Sequence, residues 1–411
     1  MTATKYRGNS LYLENASVEK IAKKNTTPFY LYSLEQIKNN FNYFSQSFKQ
    51  TNPVICFAVK SNPNLTILKT LKKLGSGADV VSMGELQIAL KAGINPKKIV
   101  FSGVGKTVEE LNYAISKKIL LINAESEGEV NEITKIARRK KCRVKIGLRL
   151  NPNINAKTIK KISTGKKSDK FGISLEKCLD IFKRNIHNNN ISIEAISVHI
   201  GSQIKETIPF QKMLNLIDKF IQTLKKYKIN INYLDLGGGM AIPYSNTEKN
   251  FDLNKYARMV YQFNKKYKFK IIFEPGRYLS ANSALLVSKV IYIKSIQDRN
   301  FVILDAAMND LMRPALYGAK HEILPIHKIK NKFNKKIEFV GPICESTDKF
   351  ITYPNYPKLK EGDFVCFTNV GAYGRSLSSN YNIRPLPAEI AINKNSYRVI
   401  RPRQKLQDLI K

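Results

Sequence analysis

Residues 53–64 read "PVICFAVKSNPN", and their reading decides the fold. Val54, Ile55, Phe57 and Val59 favour extended backbone, and Ser61-Asn62-Pro63 stops the run, so a buried strand is expected over 54–60 with Lys60 at its tip. From here the chain alternates. Further β-rich runs are expected near 78–82, 99–103, 119–123, 143–150, 194–200, 232–236 and 270–275. Between them lie helix-like segments such as "SMGELQIALKAG" (82–93), "TVEELNYAISKK" (107–118), "SEGEVNEITKIARRKK" (126–141) and "SLEKCLDIFKRN" (174–185). Several open on Ser or Thr followed by acids, which satisfy the unpaired amides of a first helical turn. Eight β-runs, each but the last followed by a helix, predict a parallel (β/α)8 barrel of the TIM type rather than an open sheet.

After about residue 280 the texture changes. "ALLVSKVIYIKSI", "NFVILDA", "KKIEFVGPI", "DFVCFTNVGAY" and "SYRVIR" are β-rich and separated by turn residues, without helical periodicity. The expected class is therefore α/β plus all-β. A barrel is expected over 28–280, and a C-terminal β-domain over 281–411 that also takes in residues 1–27, which are too few to stand alone.

Composition narrows the function classes. The chain has 411 residues, enough for two domains, with ordinary hydrophobic (43%) and charged (25%) content. Five cysteines, an odd number without CxxC spacing, argue against a disulfide framework and a zinc site. Four scattered histidines (187, 199, 321 and 327) give no metal signature either, so no metal is expected. No apolar run reaches the length of a membrane span, and "MTATKYRGNS" at the start has no apolar core of a signal peptide; the expected location is cytoplasmic, with no membrane partner. The net charge of +37 raises nucleic acid as a partner. The surplus is mostly Lys spread along the whole chain beside Asn and Ile, rather than a tract interleaved with Arg and aromatics, so nucleic-acid binding is not expected.

In a barrel, chemistry gathers at the C-terminal ends of the strands. Lys60 ends the first and Asp79 lies in the second. His199 ends the sixth, Gly237-Gly238-Gly239 follow the seventh, and Glu274 ends the eighth in "EPGR". Each has an ordinary alternative: a solvated lysine, a turn-forming Asp, a hydrogen-bonded core His. Together they converge on one rim. The triple glycine lets backbone N–H groups approach an anion, and Gly276 with the N–H of Arg277 offers a second cradle; neither is a P-loop or a GxGxxG pattern. An anion site, a strand-end amine, a ring-stacking His and a carboxylate point to pyridoxal 5′-phosphate. Lys60 then captures the aldehyde, Glu274 keeps the pyridine nitrogen protonated, His199 lies against the ring, and the glycine loops hold the phosphate.

Seven motifs, "FAVKSN" (57–62), "GADVVSMGEL" (77–86), "HIGSQI" (199–204), "LDLGGG" (234–239), "EPGR" (274–277), "GPICESTD" (341–348) and "GAYGRSLSSNYN" (371–382), resemble the fold-type III pyridoxal-phosphate-dependent decarboxylases, in that family's order and over nearly the whole chain. The resemblance implies the barrel and β-domain pairing shared with alanine racemase. It is nearest to the branch that removes CO2 from the D-centre of meso-2,6-diaminopimelate, leaving L-lysine. It further implies a homodimer with shared active sites, in which "PICES" of the partner's β-domain completes the pocket around Lys60. Cys344 resembles the proton donor to the carbanion, Arg277 and Arg313 with Tyr317 the carboxylate binders, Glu345 the partner of the distal ammonium, and Tyr373 a contact of phosphate and substrate. Arg149 and the loop "ISTGKKSDKFGI" (162–173) also resemble the family, and are read as positioning elements only. Met83 and "KKISTG" (160–165) depart from the family's usual pattern without touching an assigned residue.

Rivals are weaker on stated residues. Decarboxylases of ornithine or arginine have no distal carboxylate to occupy Arg277, Arg313 and Tyr317, and an Asp at position 345 would favour a diamine product. Carboxynorspermidine is a further rival substrate of the same fold. A racemase typically places Arg rather than Glu against the pyridine nitrogen. A non-enzymatic carrier of the cofactor usually lacks the β-domain expected over 281–411.

Overall fold

The computed structural model describes residues 4–156, 164–165, 169–245 and 247–411. The chain divides into two units, one of residues 1–40, 243–248 and 279–411, the other of residues 41–242 and 249–278.

In the second unit, among the described residues, eight parallel strands close a barrel. They are β1 (Val54–Ala58), β2 (Gly77–Val80), β3 (Ile99–Phe101), β4 (Leu121–Ala124), β5 (Val144–Arg149), β6 (Ile191–Ser197), β7 (Tyr233–Asp235) and β8 (Lys270–Phe273). Each pairs with the next, and the ring closes where Ile272 and Phe273 of β8 face Val54 and Ile55 of β1. β2, β3 and β4 are buried at every position, as strands covered on both faces must be. Cys56, Val100, Leu121, Ala195 and Ile272 pack together as one layer of the core.

The helices between strands start where the sequence places capping side chains. Ser82 accepts from the Glu85 amide, Ser126 from Glu129 and Ser174 from Lys177, while Thr107 and Glu110 form a reciprocal capping box. Each such cap is worth about 1 kcal/mol. In Glu127–Arg139, Val130, Ile133, Ile136 and Ala137 bury one face, and Arg138 and Arg139 sit favourably at the negative end of the helix dipole.

The first unit is built on a sheet whose strands run, in order, Lys349–Tyr353, Lys336–Val340, Arg299–Leu304, Ala284–Ile296, Phe29–Ser33, Ala388–Asn393 and Ser396–Arg401, with Phe364–Phe367 and Ile323–Pro325 joined at its side. The strand Ala284–Ile296 is its seam: it pairs with Phe29–Ser33 and Phe364–Phe367 over its first half and with Arg299–Leu304 over its second. Leu11, Leu13, Val18 and Ile21 from the N-terminus share one core with Leu31, Leu285, Val287, Cys366 and Ile390.

Two expectations need correction. The barrel was expected from residue 28, but Phe29–Ser33 lies between Ala284–Ile296 and Ala388–Asn393 in the other unit's sheet, and all five of its residues are buried there. Its partners are more than 250 residues away in sequence, which local patterning cannot register. Lys60, His199 and Glu274 do not end strands but follow them: β6 stops at Ser197, β8 at Phe273 and β1 at Ala58, after which Val59–Ser61 forms a single 3-10 turn closed by Asn62 N–H to Val59 O (2.9 Å), with the Ser61 hydroxyl donating to Ala58 O (2.7 Å).

Candidate active site

At the C-terminal ends of the strands the barrel collects three buried carboxylates: Asp79 on β2, Asp235 at the end of β7 and Glu274 just after β8. Ser102 donates to Glu274 Oε1 (3.1 Å). Asn123 reaches both the Ser102 hydroxyl (3.3 Å) and Asp235 Oδ2 (2.8 Å). Asp235 also accepts from Ser197 (3.2 Å) and from the Gly237 amide (3.0 Å), and it shares a hydrogen bond with Glu274. Burial first, then the charges of Asp235 and Asp79, hold the Glu274 carboxyl well above the usual carboxylate range. Burial raises Asp235 as well. Burial and like charge thus work against the ionised form of both members of the Glu274–Asp235 pair, and a cationic N–H donor set against Glu274 would relieve that repulsion.

The glycine run lies beside this cluster. Gly237 and Gly239 have φ of +62° and +96°, and a Cβ on any of the three would fall within 2.6 Å of an atom of another loop: His199 Nδ1 for Gly237, Glu274 O for Gly238 and Gly201 O for Gly239. Only glycine fits there. The Gly238 amide donates to His199 Nδ1 (3.2 Å), so the ring proton sits on Nε2. Desolvation, with the charges of Arg149 and Lys60, holds His199 well below its ordinary pKa, which leaves a neutral ring at the rim. Gly276 is packed against Ser61, and Arg277, buried, donates to the Ser202 hydroxyl through Nε (3.4 Å) and Nη2 (3.2 Å).

Lys60 Nζ lies 2.8 Å from Asp79 Oδ2, the lysine 41% exposed and the aspartate fully buried. The second Asp79 oxygen is buried with no hydrogen-bond partner among the described residues. Close by in the first turn of the helix Met83–Lys91, burial pushes Glu85 up to about 7 despite a bond from the Val81 amide (2.9 Å); the Asp79 charge raises it further and Lys60 opposes. Arg149 ends β5 and is paired with Glu125 (2.7 Å), whose carboxylate also gathers the Gly103 and Gly172 amides (3.0 and 3.1 Å). That makes Arg149 part of a loop clasp. Residues 162–163 and 166–168 of the neighbouring "ISTGKKSDKFGI" lie outside the described residues.

The other unit holds the remaining candidates in two groups. Arg313 and Tyr317 share a face of the short helix Arg313–Tyr317, four residues apart, with Arg313 buried and Tyr317 half-buried. Arg313 Nη1 is 2.7 Å from His321 Nε2 and its guanidinium carbon stands 4.7 Å above the Tyr244 ring. Cys344 and Glu345 are exposed on a loop tied down by Asp348, whose two oxygens accept from the Met308 and Ile343 amides (2.7 Å each). Tyr381 and Thr347 donate to Glu345 and hold its carboxyl below the usual range, and Asn382 Nδ2 lies 3.7 Å from Cys344 Sγ. Tyr373, half-buried, adopts φ +56°, a conformation that costs energy for a non-glycine residue and clusters at functional sites.

Sequence reading gave no role to Asp235, Ser102, Asn123, Glu85, His321, Tyr244 or Tyr381. Asp235 had a signal, an acid inside a barrel strand two residues ahead of the glycines. Ser102 and Asn123 at the ends of β3 and β4 had only their position. Glu85 and Tyr381 lie within the motifs "GADVVSMGEL" and "GAYGRSLSSNYN", and the Glu85 carboxylate accepts from the Val81 amide four residues back, while His321 and Tyr244 come into place through tertiary contacts alone.

Residues 34–281 match the family model described as the pyridoxal-binding domain of pyridoxal-dependent decarboxylases. The chain is 41% identical over 391 residues to a diaminopimelate decarboxylase of Helicobacter pylori strain J99, covering 95% of this chain and 96% of the relative. The crystal structure of the Helicobacter pylori diaminopimelate decarboxylase complexed with L-lysine superposes with a TM-score of 0.91 at 40% identity, covering 95% of this chain and 98% of that one. The crystal structure of the diaminopimelate decarboxylase from M. jannaschii in complex with L-lysine superposes with a TM-score of 0.94 at 35% identity, covering 99% of this chain and 96% of that one. The barrel residues fit the cofactor such proteins use. A buried, mutually hydrogen-bonded acid pair suits a pyridine nitrogen, the side-chain-free glycine loop suits a phosphate, and Lys60 provides the amine.

Proposed function

The chain belongs to the pyridoxal-dependent decarboxylases, among the diaminopimelate decarboxylases, and from that premise we propose how its residues divide the work. It is a carboxy-lyase that uses pyridoxal 5′-phosphate to convert meso-2,6-diaminopimelate to L-lysine and CO2, the last step of lysine biosynthesis. The observation that carries the reading is the meeting of Lys60, Asp79, His199, Gly237–Gly239, Asp235 and Glu274 at one end of one barrel.

The bound cofactor supplies an electron sink for the carbanion left when CO2 departs from the D-centre. Lys60 anchors it, and Asp79 keeps the amine aimed from a buried position. Glu274, with Asp235 behind it, holds a proton at the ring nitrogen. His199 stays neutral, so it covers a ring face without adding a competing charge. Gly237–Gly239, Gly276 and the Arg277 amide bind the phosphate, joined by Tyr373.

For the substrate, Arg277 and Arg313 with Tyr317 bind carboxylate, because a planar guanidinium matches the carboxylate fork, and Glu345 takes the distal ammonium. Cys344 delivers a proton to the carbon that lost CO2. Its exposure on this chain, on a loop fixed by Asp348, supports a homodimer in which each β-domain, the unit of residues 1–40, 243–248 and 279–411, serves the partner's barrel. A cytoplasmic location fits a biosynthetic enzyme, and among the described residues no helix is long and apolar enough to cross a membrane.

The deciding assay is CO2 release from meso-diaminopimelate beside ornithine, arginine and lysine. Diaminopimelate should be turned over at least about a hundredfold better in kcat/KM, since a site built for a charged group rejects analogues that lack it. Equal turnover of ornithine would sink the substrate assignment.

A further inference from the structure

We propose that His321 is a positioning residue for Arg313, fixing the plane of the guanidinium that reads the distal carboxylate of the substrate, with Tyr244 as the wall behind it. This rests on the assignment of Arg313 as a carboxylate binder.

The protonation state follows from the partners. His321 Nδ1 lies 2.8 Å from the Thr368 carbonyl oxygen, which only accepts, so Nδ1 carries the hydrogen. His321 Nε2 lies 2.7 Å from Arg313 Nη1, which only donates, so Nε2 offers its lone pair. The ring is thus a neutral relay between a fixed backbone carbonyl and a permanent cation. Both side chains are buried, His321 2% and Arg313 5% exposed. Tyr244 meets the His321 ring edge-on (centroids 5.2 Å apart, 89° between planes) and lies under the Arg313 guanidinium. The imidazole holds one corner of the guanidinium and the phenol ring its face, and together they define its plane.

The local chain is shaped for this. Gly318, at φ +63°, ends the helix Arg313–Tyr317 in the left-handed region, and the chain turns back so that His321 returns to Arg313 from eight residues away. A guanidinium binds carboxylate through two parallel bonds only when its plane is set, so an arginine free to rotate loses affinity before it loses chemistry. His321 is one of four histidines in the chain, and buried beside an arginine it serves as an acceptor, a role no cation-bearing neighbour of Arg313 could fill.

The test compares His321→Asn and His321→Gln in the holoenzyme. Asparagine keeps a donor for Thr368 O, which protects the fold, but cannot reach Arg313; glutamine places an oxygen near the position of Nε2. For His321→Asn, KM for meso-diaminopimelate should rise about tenfold or more, and inhibition by L-lysine, which retains the distal carboxylate, should weaken in step. Its kcat should stay within about threefold, as should inhibition by cadaverine, which has no carboxylate, and the absorbance of the bound cofactor should not change. His321→Gln should bring KM back to within about threefold of the parent. An unchanged KM in His321→Asn, or a loss of kcat and cofactor with KM intact, overturns the proposal. Arg313→Lys separates the two claims. If it raises KM and weakens L-lysine while His321→Asn does neither, the relay is wrong and the Arg313 assignment stands. If Arg313→Lys changes neither quantity, the assignment itself falls and the relay with it.

Discussion

The barrel cluster and the Cys344 loop solve the placement of reactive groups in opposite ways. In the barrel, Asp79, Asp235 and Glu274 are buried at or just beyond the ends of strands, and bonds from Ser102, Asn123, Ser197 and the Gly237 amide restrain them. Cys344, Glu345 and Tyr381 are exposed, the first two on a loop and Tyr381 at the start of the 3-10 turn Tyr381–Ile383, where Asn382 and Ile383 carry φ of +55° and +54°, unfavourable above all for a β-branched residue. The barrel holds its groups by burial; the loop holds its groups by anchors, with Asp348 on one side and the strained turn on the other. Burial shifts acidities strongly, as at Glu274, while the exposed Glu345 is lowered chiefly by the Tyr381 and Thr347 donors that touch it. The difference teaches that burial changes the acidity of a group strongly, whereas an exposed group is set by the bonds that anchor it.

The largest test of that contrast is Cys344→Ala. We expect kcat to fall by about a hundredfold to ten-thousandfold, as for loss of a positioned proton donor, with the visible absorbance of bound cofactor unchanged. Mixing this variant with Lys60→Ala subunits should restore part of the activity if the loop serves a partner's barrel, and no recovery would confine the loop to its own chain. Unchanged turnover in Cys344→Ala alone would remove the proton-donor role.

A middle-sized effect is expected inside the barrel. Glu85 is raised to about 7 from 4.5 by burial. Folding therefore favours its protonated form: its contribution to stability is complete below pH 4.5 and is lost as pH rises through 7. On the order of 3 kcal/mol is at stake, as an upper bound for a group that is not fully enclosed. Urea unfolding from pH 4.5 to 8 should show a decline in the parent that is reduced in Glu85→Gln, whose amide oxygen still accepts from Val81. Parallel curves for the two proteins would mean that burial does not set the acidity of Glu85. The smallest effect should come from Tyr381→Phe, which removes one donor from an exposed carboxylate: a KM increase of about threefold and no change in kcat, measured by initial rates. A change tenfold larger would show that the loop depends on this single bond rather than on Asp348.

Legibility in the sequence followed the same divide. The eight barrel strands show in the sequence as β-rich runs, and several of the helices between them as Ser, Thr, Asn or Asp caps, so Lys60, Asp79, His199, the glycines and Glu274 fall on one rim from sequence order alone. Asp235 stood in plain view in "LDLGGG", yet nothing local distinguishes an acid that bonds to Glu274 from one that merely ends a strand. Cys344, Arg313 and Glu345 were found only because their motifs resemble a family, for loops carry no periodicity to read. Phe29–Ser33 and His321 were missed for one reason: each takes its meaning from partners brought close by the fold, Ala284–Ile296 and Ala388–Asn393 for the strand, Arg313 for the histidine.

The seam strand Ala284–Ile296 is clamped on both sides over Leu286–Val287, between Phe29–Ser33 and Phe364–Phe367; beyond Val290 its register against Arg299–Leu304 slips, and its last residues are exposed. Such a strand does not melt as one piece. Fraying that begins at the Ile296 end is arrested near Val290, so amide protons at the two ends of a single strand belong to different cooperative units, and solvent exchange along it will read out as a step.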